Sequence, residues 1–202
     1  TSMTVEALPG YREVKPMVYA SLYPVDGDDY AEMRDALDKL KLNDAAFAFE
    51  PESNAALGRG FRCGFLGLLH LEIVQARLER EFELTPTITT PSVIYELELR
   101  GKEGRVPLYS PMDMPDPASI EAIYEPYVDL KVVAPASFLG ALMDLSASIR
   151  AEYRNTEYLD EERILLSFDA PLMDVIVSFH DRLKSVSSGF ASMNYEPIGY
   201  RK

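Results

Sequence analysis

With 202 residues, 47% of them apolar and 26% charged, and a mean hydropathy of −0.10, the chain has material for one large core or two small ones. Its 33 acids against 20 lysines and arginines give a net charge of −13, which opposes broad binding to phosphate backbones. One cysteine, Cys63, excludes an intramolecular disulfide framework, and the longest nearly apolar run, Phe65 to Val74, is too short to span a bilayer and carries His70 and Glu72.

No cationic segment followed by an apolar one opens the chain, so no signal peptide is expected. Val14 to Val25 alternates, with Val18, Ala20 and Leu22 on one face and Met17, Tyr19 and Tyr23 on the other, which predicts a strand. Asp26-Gly27-Asp28 supplies a turn with acids placed to cap a helix, and Tyr30, Met33, Leu37 and Leu40 form that helix's apolar stripe. Phe47 to Phe49 reads as a short strand, followed by a glycine-rich turn with its own strand near Phe61. A helix then runs from about Leu68 to Phe82, and a strand over Val93 to Leu99 closes the half. The order β-α-β-β-α-β is the split βαβ, or ferredoxin-like, unit.

Lys102 to Pro117, with Pro107, Pro111, Pro115 and Pro117, has linker chemistry. Beyond it the pattern returns. Tyr124 to Val133 reads as a strand, and Ser137 caps a helix with the stripe Phe138, Leu142, Leu145 and Ile149. Tyr153 to Tyr158 and Ile164 to Phe168 read as a hairpin, and Asp169 with Pro171 opens a helix with the stripe Leu172, Ile176, Phe179, Leu183 and Val186. Phe190 to Tyr195 reads as the last strand. Each stripe residue buried against a sheet contributes roughly 1.5–3 kcal/mol. The expected fold class is therefore α+β: two ferredoxin-like sandwich domains, residues 1–100 and 119–202, joined by a proline-rich linker over 101–118.

Four glycines, Gly58, Gly60, Gly64 and Gly67, precede the second helix, a pattern that suggests phosphate cradling. A P-loop needs Lys and Ser/Thr after its last glycine, but Leu68 and Leu69 stand there, and the spacing misses a dinucleotide fingerprint by one residue. His70 and His180 are the only histidines and lack metal-ligand spacing, and Cys63 with His70 lacks a third orienting group. The acids from Asp26 to Asp38 lack the EF-hand register and read as a solvated helix face. Basic residues gather at Arg59 and Arg62, which flank the glycine turn, where Gly64 to Gly67 has the spacing of a KH-type clamp. They gather again at Arg182 and Lys184, where complementing the helix dipole is the competing explanation.

The stretch LGRGFRCGFLGLLHLEIVQARLEREF (Leu57 to Phe82) resembles the third domain of translational GTPases related to elongation factor G. Their hallmark, a glycine turn followed by LHLEI, is here Leu69, His70, Leu71, Glu72 and Ile73. The variant GFRCGFLGLLHLEI is similar to the LepA (elongation factor four) branch. So are Pro9-Gly10-Tyr11 and the segments Val14 to Tyr30, Tyr158 to Lys184 and Gly189 to Arg201. Glu125 to Leu145 is similar to the fifth domain of elongation factor G. The large fourth domain that separates the two in that factor is replaced by the short proline-rich segment, as in LepA. BipA also lacks a fourth domain but does not carry the FRCGFLGLLHLEI or YLDEERILLSF wording.

The resemblance implies a parent that binds GTP with Mg, hydrolyses it on the ribosome and remodels pre- and post-translocation states, including back-translocation. No P-loop lysine or Asn-Lys-x-Asp reader stands in this chain, so no catalytic, cofactor or metal residue is expected in it. Implied partners are the ribosome (rRNA and ribosomal proteins) and the GTPase and C-terminal domains of the same protein, with no stable oligomer. The implied location is the cytoplasm, the inner face of a bacterial membrane as a peripheral protein, or an organelle. Candidate ribosome contacts are Arg59, Arg62, His70, Arg182, Lys184, Ser187 and Ser188. Two positions depart from the family: Arg150-Ala151 stands in place of Arg-Gly at a helix end, and Ser187-Ser188-Gly189 lacks the usual base before glycine. The alternative from another class is a ferredoxin-like enzyme or sensor for a small molecule, which would need a deep pocket with convergent polar groups.

Overall fold

The computed structural model describes residues 16–110 and 113–202 and divides into two compact units, with the boundary between Thr89 and Thr90. The first contains β1 (Val18–Tyr23), a 3-10 turn (Gly27–Asp29), α1 (Tyr30–Asn43), β2 (Ala48–Asn54), β3 (Gly58–Phe65), α2 (Leu68–Phe82) and β4 (Thr87–Ile88). Its sheet is antiparallel in the order β2-β3-β1-β4, the ferredoxin-like arrangement. Val18, Ala20 and Leu22 are buried with Met33, Leu37 and Leu40 of α1 and Leu71, Val74 and Leu78 of α2. Asp26 caps the 3-10 turn by accepting from the Asp28 amide at 3.1 Å, the role foreseen for these acids.

The second unit contains β5 (Tyr95–Leu99), β6 (Arg105–Leu108), β7 (Ile120–Pro135), α3 (Leu139–Ala147), β8 (Glu152–Tyr158), β9 (Arg163–Pro171), α4 and β10 (Ser192–Arg201). We use α4 for one continuous rod made of Leu172–Asp174, a π-helical stretch Val175–Phe179, and His180–Val186. Strands β7, β8, β9 and β10 with α3 and α4 form the second ferredoxin-like unit, with β7 between β9 and β10 and β8 at the edge beside β9. Val128, Leu130, Val132 and Ala134 of β7 and Ile164, Leu166, Phe168 and Ala170 of β9 pack with Leu142, Leu145, Ile176, Phe179 and Leu183 of the helices. No helix among the described residues is long and apolar enough to cross a membrane.

Several expectations need correction. The strand over Val93 to Leu99 does not close the first sheet. β5 pairs instead with the start of β7, where Glu96 faces Tyr124 and Leu97 faces Ile123. The Tyr124 hydroxyl donates to Glu98 at 2.7 Å, and Arg105 lies 3.7 Å from the centroid of the Tyr124 ring while donating to Glu96 at 3.1 Å. The free edge of β1 is taken by the two-residue β4, kept short by Pro86 and Pro91 and fastened by a Thr89 amide bond to the Ser21 carbonyl at 2.9 Å. The segment read as linker is therefore partly strand, since β6 pairs with β5; Pro111 lies outside the described residues.

Ser137 does not cap α3. It sits in a 3-10 turn (Ala136–Phe138), and Phe138 is the capping position without a side-chain bond. The end of α3 answers the Arg150-Ala151 departure. Ser146 and Ser148 hydroxyls donate to the Met143 and Leu145 carbonyls at 2.8 and 2.6 Å, so the helix stops without a left-handed residue.

The glycine-rich turn is mostly strand. Gly60 and Gly64 lie within β3, on the face opposite α1 and α2, where the backbone is approached too closely for a side chain. A Cβ on Gly60 would stand 2.4 Å from Tyr23 Cδ1 and 2.6 Å from the Leu22 carbonyl oxygen; one on Gly64 would stand 2.7 Å from Pro16 Cβ. Tyr23 is only 2% exposed and has no room to swing away. Gly60→Ala is expected to destabilise the first unit by about 1–3 kcal/mol through overpacking. Hydrogen exchange of the β1 and β3 amides checks this: protection should fall there, and unchanged protection would mean that Tyr23 and the Leu22 backbone give way to the added methyl without cost.

Candidate functional site

The LHLEI histidine is committed inside the first unit. Leu66 N–H donates to His70 Nδ1 at 3.0 Å, so Nδ1 is the acceptor, and Nε2 faces Asp44 Oδ2 at 2.8 Å as the donor. Asp44 ends α1 and also accepts from the Ala46 amide at 3.0 Å. His70 thereby ties the β3–α2 connection to the α1–β2 loop, with its ring edge-on to Phe47 and Phe65. Cys63 is fully buried and its thiol points to the Phe61 carbonyl at 3.8 Å. Burial first, then the charge of Glu52, pushes that thiol's pKa well up, so it stays protonated, and both of the ring bonds described for His70 go elsewhere. No Cys/His nucleophile forms.

Arg59 and Arg62 do not share a patch. Strand alternation puts them on opposite faces of β3. Arg59 stacks 4.0 Å from the centroid of Tyr30, which itself stacks on Phe61 on the helix-covered side. Arg62 lies over Tyr19 at 5.1 Å on the other side and approaches Glu50 at 4.0 Å. The clamp spacing from Gly64 to Gly67 covers the end of β3 and the cap of α2 rather than one loop. Among the described residues no group of His, Cys, Asp and Glu could hold a metal ion.

The C-terminal candidates lie in the last turns of α4, where Arg182 and Lys184 stand on either flank of the buried Leu183, and in the connection to β10. Arg182 and Lys184 are exposed, and among the described residues neither has a charged partner. Ser187 is a correction: it is fully buried, its hydroxyl donating to the Leu183 carbonyl at 2.6 Å and accepting from the Ala191 amide at 3.1 Å. It caps the helix and offers nothing to a partner. Ser188 and Gly189 both take left-handed backbone, φ 52° and 82°, and Gly189 N–H returns to the Lys184 carbonyl at 2.8 Å. Beside them Phe190 is 71% exposed, a residue whose place in the sequence suggests only the start of a strand.

Another constellation has no signature in the sequence. Asp129 on β7 stands directly opposite Asp169 on β9, a repulsive arrangement. Arg154 of β8 bridges both, at 3.4 and 2.8 Å, and Arg201 of β10 binds Asp169 while lying over Tyr127 at 4.7 Å. Lys131 also reaches Asp129 at 3.5 Å. At the other end Arg150 holds Glu125 at 2.5 Å and Asp174 at 3.1 Å, beside a cavity of about 470 Å³ lined by Ile149, Met173 and Val177. Each of these cations is already engaged, which suits a structural brace.

Residues 122–202 match the family described as elongation factor G C-terminus. The chain is 54% identical to elongation factor 4 of Thermus thermophilus over 200 residues, 98% of this chain and 33% of that protein. It is 50% identical to elongation factor 4 of Chlorobium phaeobacteroides over 196 residues, 97% of this chain and 32% of that protein. It is likewise 50% identical to that of Parasynechococcus marenigrum, over 98% of this chain and 32% of that protein. The chain thus spans about a third of these relatives. The crystal structure of a Thermus thermophilus protein shares the fold, with a TM-score of 0.56 and 17% identity, over 99% of this chain and 43% of that one.

Partial burial pushes the Asp169 carboxyl up, but the bonds from Arg201 and Arg154 outweigh it and hold the pKa below the ordinary carboxylate range. A depressed folded-state pKa adds stability that is present above the unfolded value, about 3.9, and is lost as pH falls through the folded value. Melting of the second unit is therefore expected to drop steeply below about pH 4, and Asp169→Asn should flatten that limb. An identical acid limb in the variant would show that the brace has no part in it.

Proposed function

Because the chain belongs to the elongation factor 4 family along nearly its whole length, we propose that it is the ribosome-docking and interdomain-coupling part of a translational GTPase. The observation that carries this reading is identity of 47–54% spread over 96–98% of the chain. In the whole protein a separate domain would bind GTP and Mg and hydrolyse the nucleotide. This part would transmit that event between ribosome-facing and GTPase-facing domains, moving the ribosome between pre- and post-translocation states. Its working place would be the cytosol, with peripheral attachment at the inner membrane face as a second station, and it would act without forming a stable oligomer.

An acidic module can dock on a ribosome if its cations are concentrated and its acids point away. Arg182 and Lys184, which have no described ion-pair partner, would supply the contacts from the last turns of α4, with Ser188 between them and β10. Arg59 offers a second, weaker contact, since its guanidinium is stacked on Tyr30. Arg62 and His70 support the unit from within. A small-molecule enzyme or sensor finds less support. The cavity lined by Pro24, Val25, Met33 and Leu84 is about 300 Å³ and mostly apolar, and the one beside Arg150 has its charged groups already paired.

Arg182→Ala/Lys184→Ala tests the docking surface in the full-length protein. Ribosome affinity should weaken, and the slope of log affinity against log salt should shrink by about 0.7–0.9 for each phosphate no longer neutralised. Melting should be nearly unchanged. If affinity held and melting fell instead, the two cations would only complement the helix dipole, worth roughly 0.3–1 kcal/mol each. Calorimetric titration of this chain with GTP and Mg²⁺ should be flat, because no phosphate-binding lysine follows the glycine cluster ahead of α2. Micromolar binding would overturn the division of labour.

A further inference from the structure

We infer that Phe190 is a base-stacking platform: its ring receives an unpaired nucleotide base of ribosomal RNA, with Arg182 and Lys184 on the preceding helix as phosphate contacts. This rests on the docking reading above and adds the partner's chemical class. The ring is 71% exposed, yet it is not on a loose loop. Its amide donates to the Ser187 carbonyl at 2.9 Å, the Ala191 amide donates to the buried Ser187 hydroxyl at 3.1 Å, and the Gly189 amide closes on Lys184 at 2.8 Å. Two successive left-handed residues, Ser188 and Gly189, allow the chain to turn this sharply without a long loop. A rigid turn thus holds an aromatic face out in water, which is preorganisation for a flat ligand.

The surroundings favour a base over a protein pocket. Protein hot spots lie inside clusters of apolar neighbours that exclude water. The chain neighbours of Phe190 on either side, Ser188, Gly189, Ala191 and Ser192, are all small. Between Arg182 and Lys202 the chain carries four cations and a single acid, Glu196, on a molecule of net charge −13. Arg201 is spent on Asp169 and Glu152 and lies with Lys202 at the other end of β10, which leaves Arg182 and Lys184 on the helix that precedes the turn. Asp181, just before them, is exposed and approaches His180 at 3.7 Å, so the phosphate pull is modest and the ring carries much of the contact. Stacking on an aromatic side chain tolerates any base and needs no hydrogen-bond code.

The chain has no tryptophan, so Phe190→Trp would place a single reporter at the platform. With 70S ribosomes, and separately with a mixed-sequence 12-nucleotide single-stranded RNA, its emission should be quenched. Phe190→Ala should weaken ribosome binding roughly 5- to 150-fold, the range for removing one base stack, with unchanged melting. Phe190→Leu, which keeps the apolar surface and removes the π face, should behave like Phe190→Ala. Emission that stays constant, or that brightens and shifts to the blue as in an apolar protein pocket, overturns the inference. So does full affinity with Phe190→Leu. Cosedimentation of the chain with ribosomes separates the two levels. Cosedimentation without quenching removes the stacking platform alone, whereas absence of cosedimentation removes the docking reading with it.

Discussion

In β7 the residues Val128, Leu130, Val132 and Ala134 are buried, so the register that satisfies the core turns Asp129 and Lys131 to the opposite face and sets Asp129 against Asp169. A one-residue slip would empty the core, so the chain cannot relieve the two acids by shifting strands. It relieves them with cations from the neighbouring strands, Arg154 on β8 and Arg201 on β10. The second unit's sheet is thus closed on one face by hydrophobic packing and on the other by charge. Arg201 lies at the far end of β10, so the same brace fastens that end of the strand to β9.

The first unit solves a different problem. Its sheet carries Tyr23 and Tyr19 on the face away from the helices, and room for these rings comes from Gly60 and Gly64 in the adjacent strand. The glycines are therefore packing devices, and the helix that follows starts from a connection fixed by His70 rather than from a ligand. A glycine cluster ahead of a helix is compatible with either account. The absent lysine after Gly67 tips the choice in the sequence, and the close approaches around Gly60 and Gly64 supply the physical reason.

Periodicity made much of this fold legible. The alternation in β1 and the stripes of α1, α3 and α4 are local properties, and Leu37, Leu142, Ile176 and Leu183 are buried as their spacing requires. What stayed illegible was decided by contacts distant in sequence. Whether Tyr95–Leu99 pairs with β1 or β7 depends on which edge is free, and no local signal encodes that. Ser187 and Ser188 look alike in a string of letters; one is buried as a cap and the other stands in water with a positive φ. Arg59 and Arg62 look like one cluster until strand geometry puts them on opposite faces. The exposed ring of Phe190 was hidden because an aromatic residue before a strand usually reads as core.

Strand β8 has a consequence for the behaviour of the chain in crowded solution. It lies at the edge of its sheet, and among the described residues it pairs only with β9, so its outer row of backbone groups could template another molecule. Its sequence, EYRNTEY, places Glu152, Arg154 and Glu157 along that edge, and its ladder is irregular between Tyr153 and Asn155. In the first unit β2, which among the described residues pairs only with β3, carries Glu50, Pro51 and Glu52. A strand arriving from a second copy would meet like charges, a missing donor and a broken register. Sheet-to-sheet growth is thereby discouraged at these two edges, one of which has Tyr153 and Tyr158 exposed beside it.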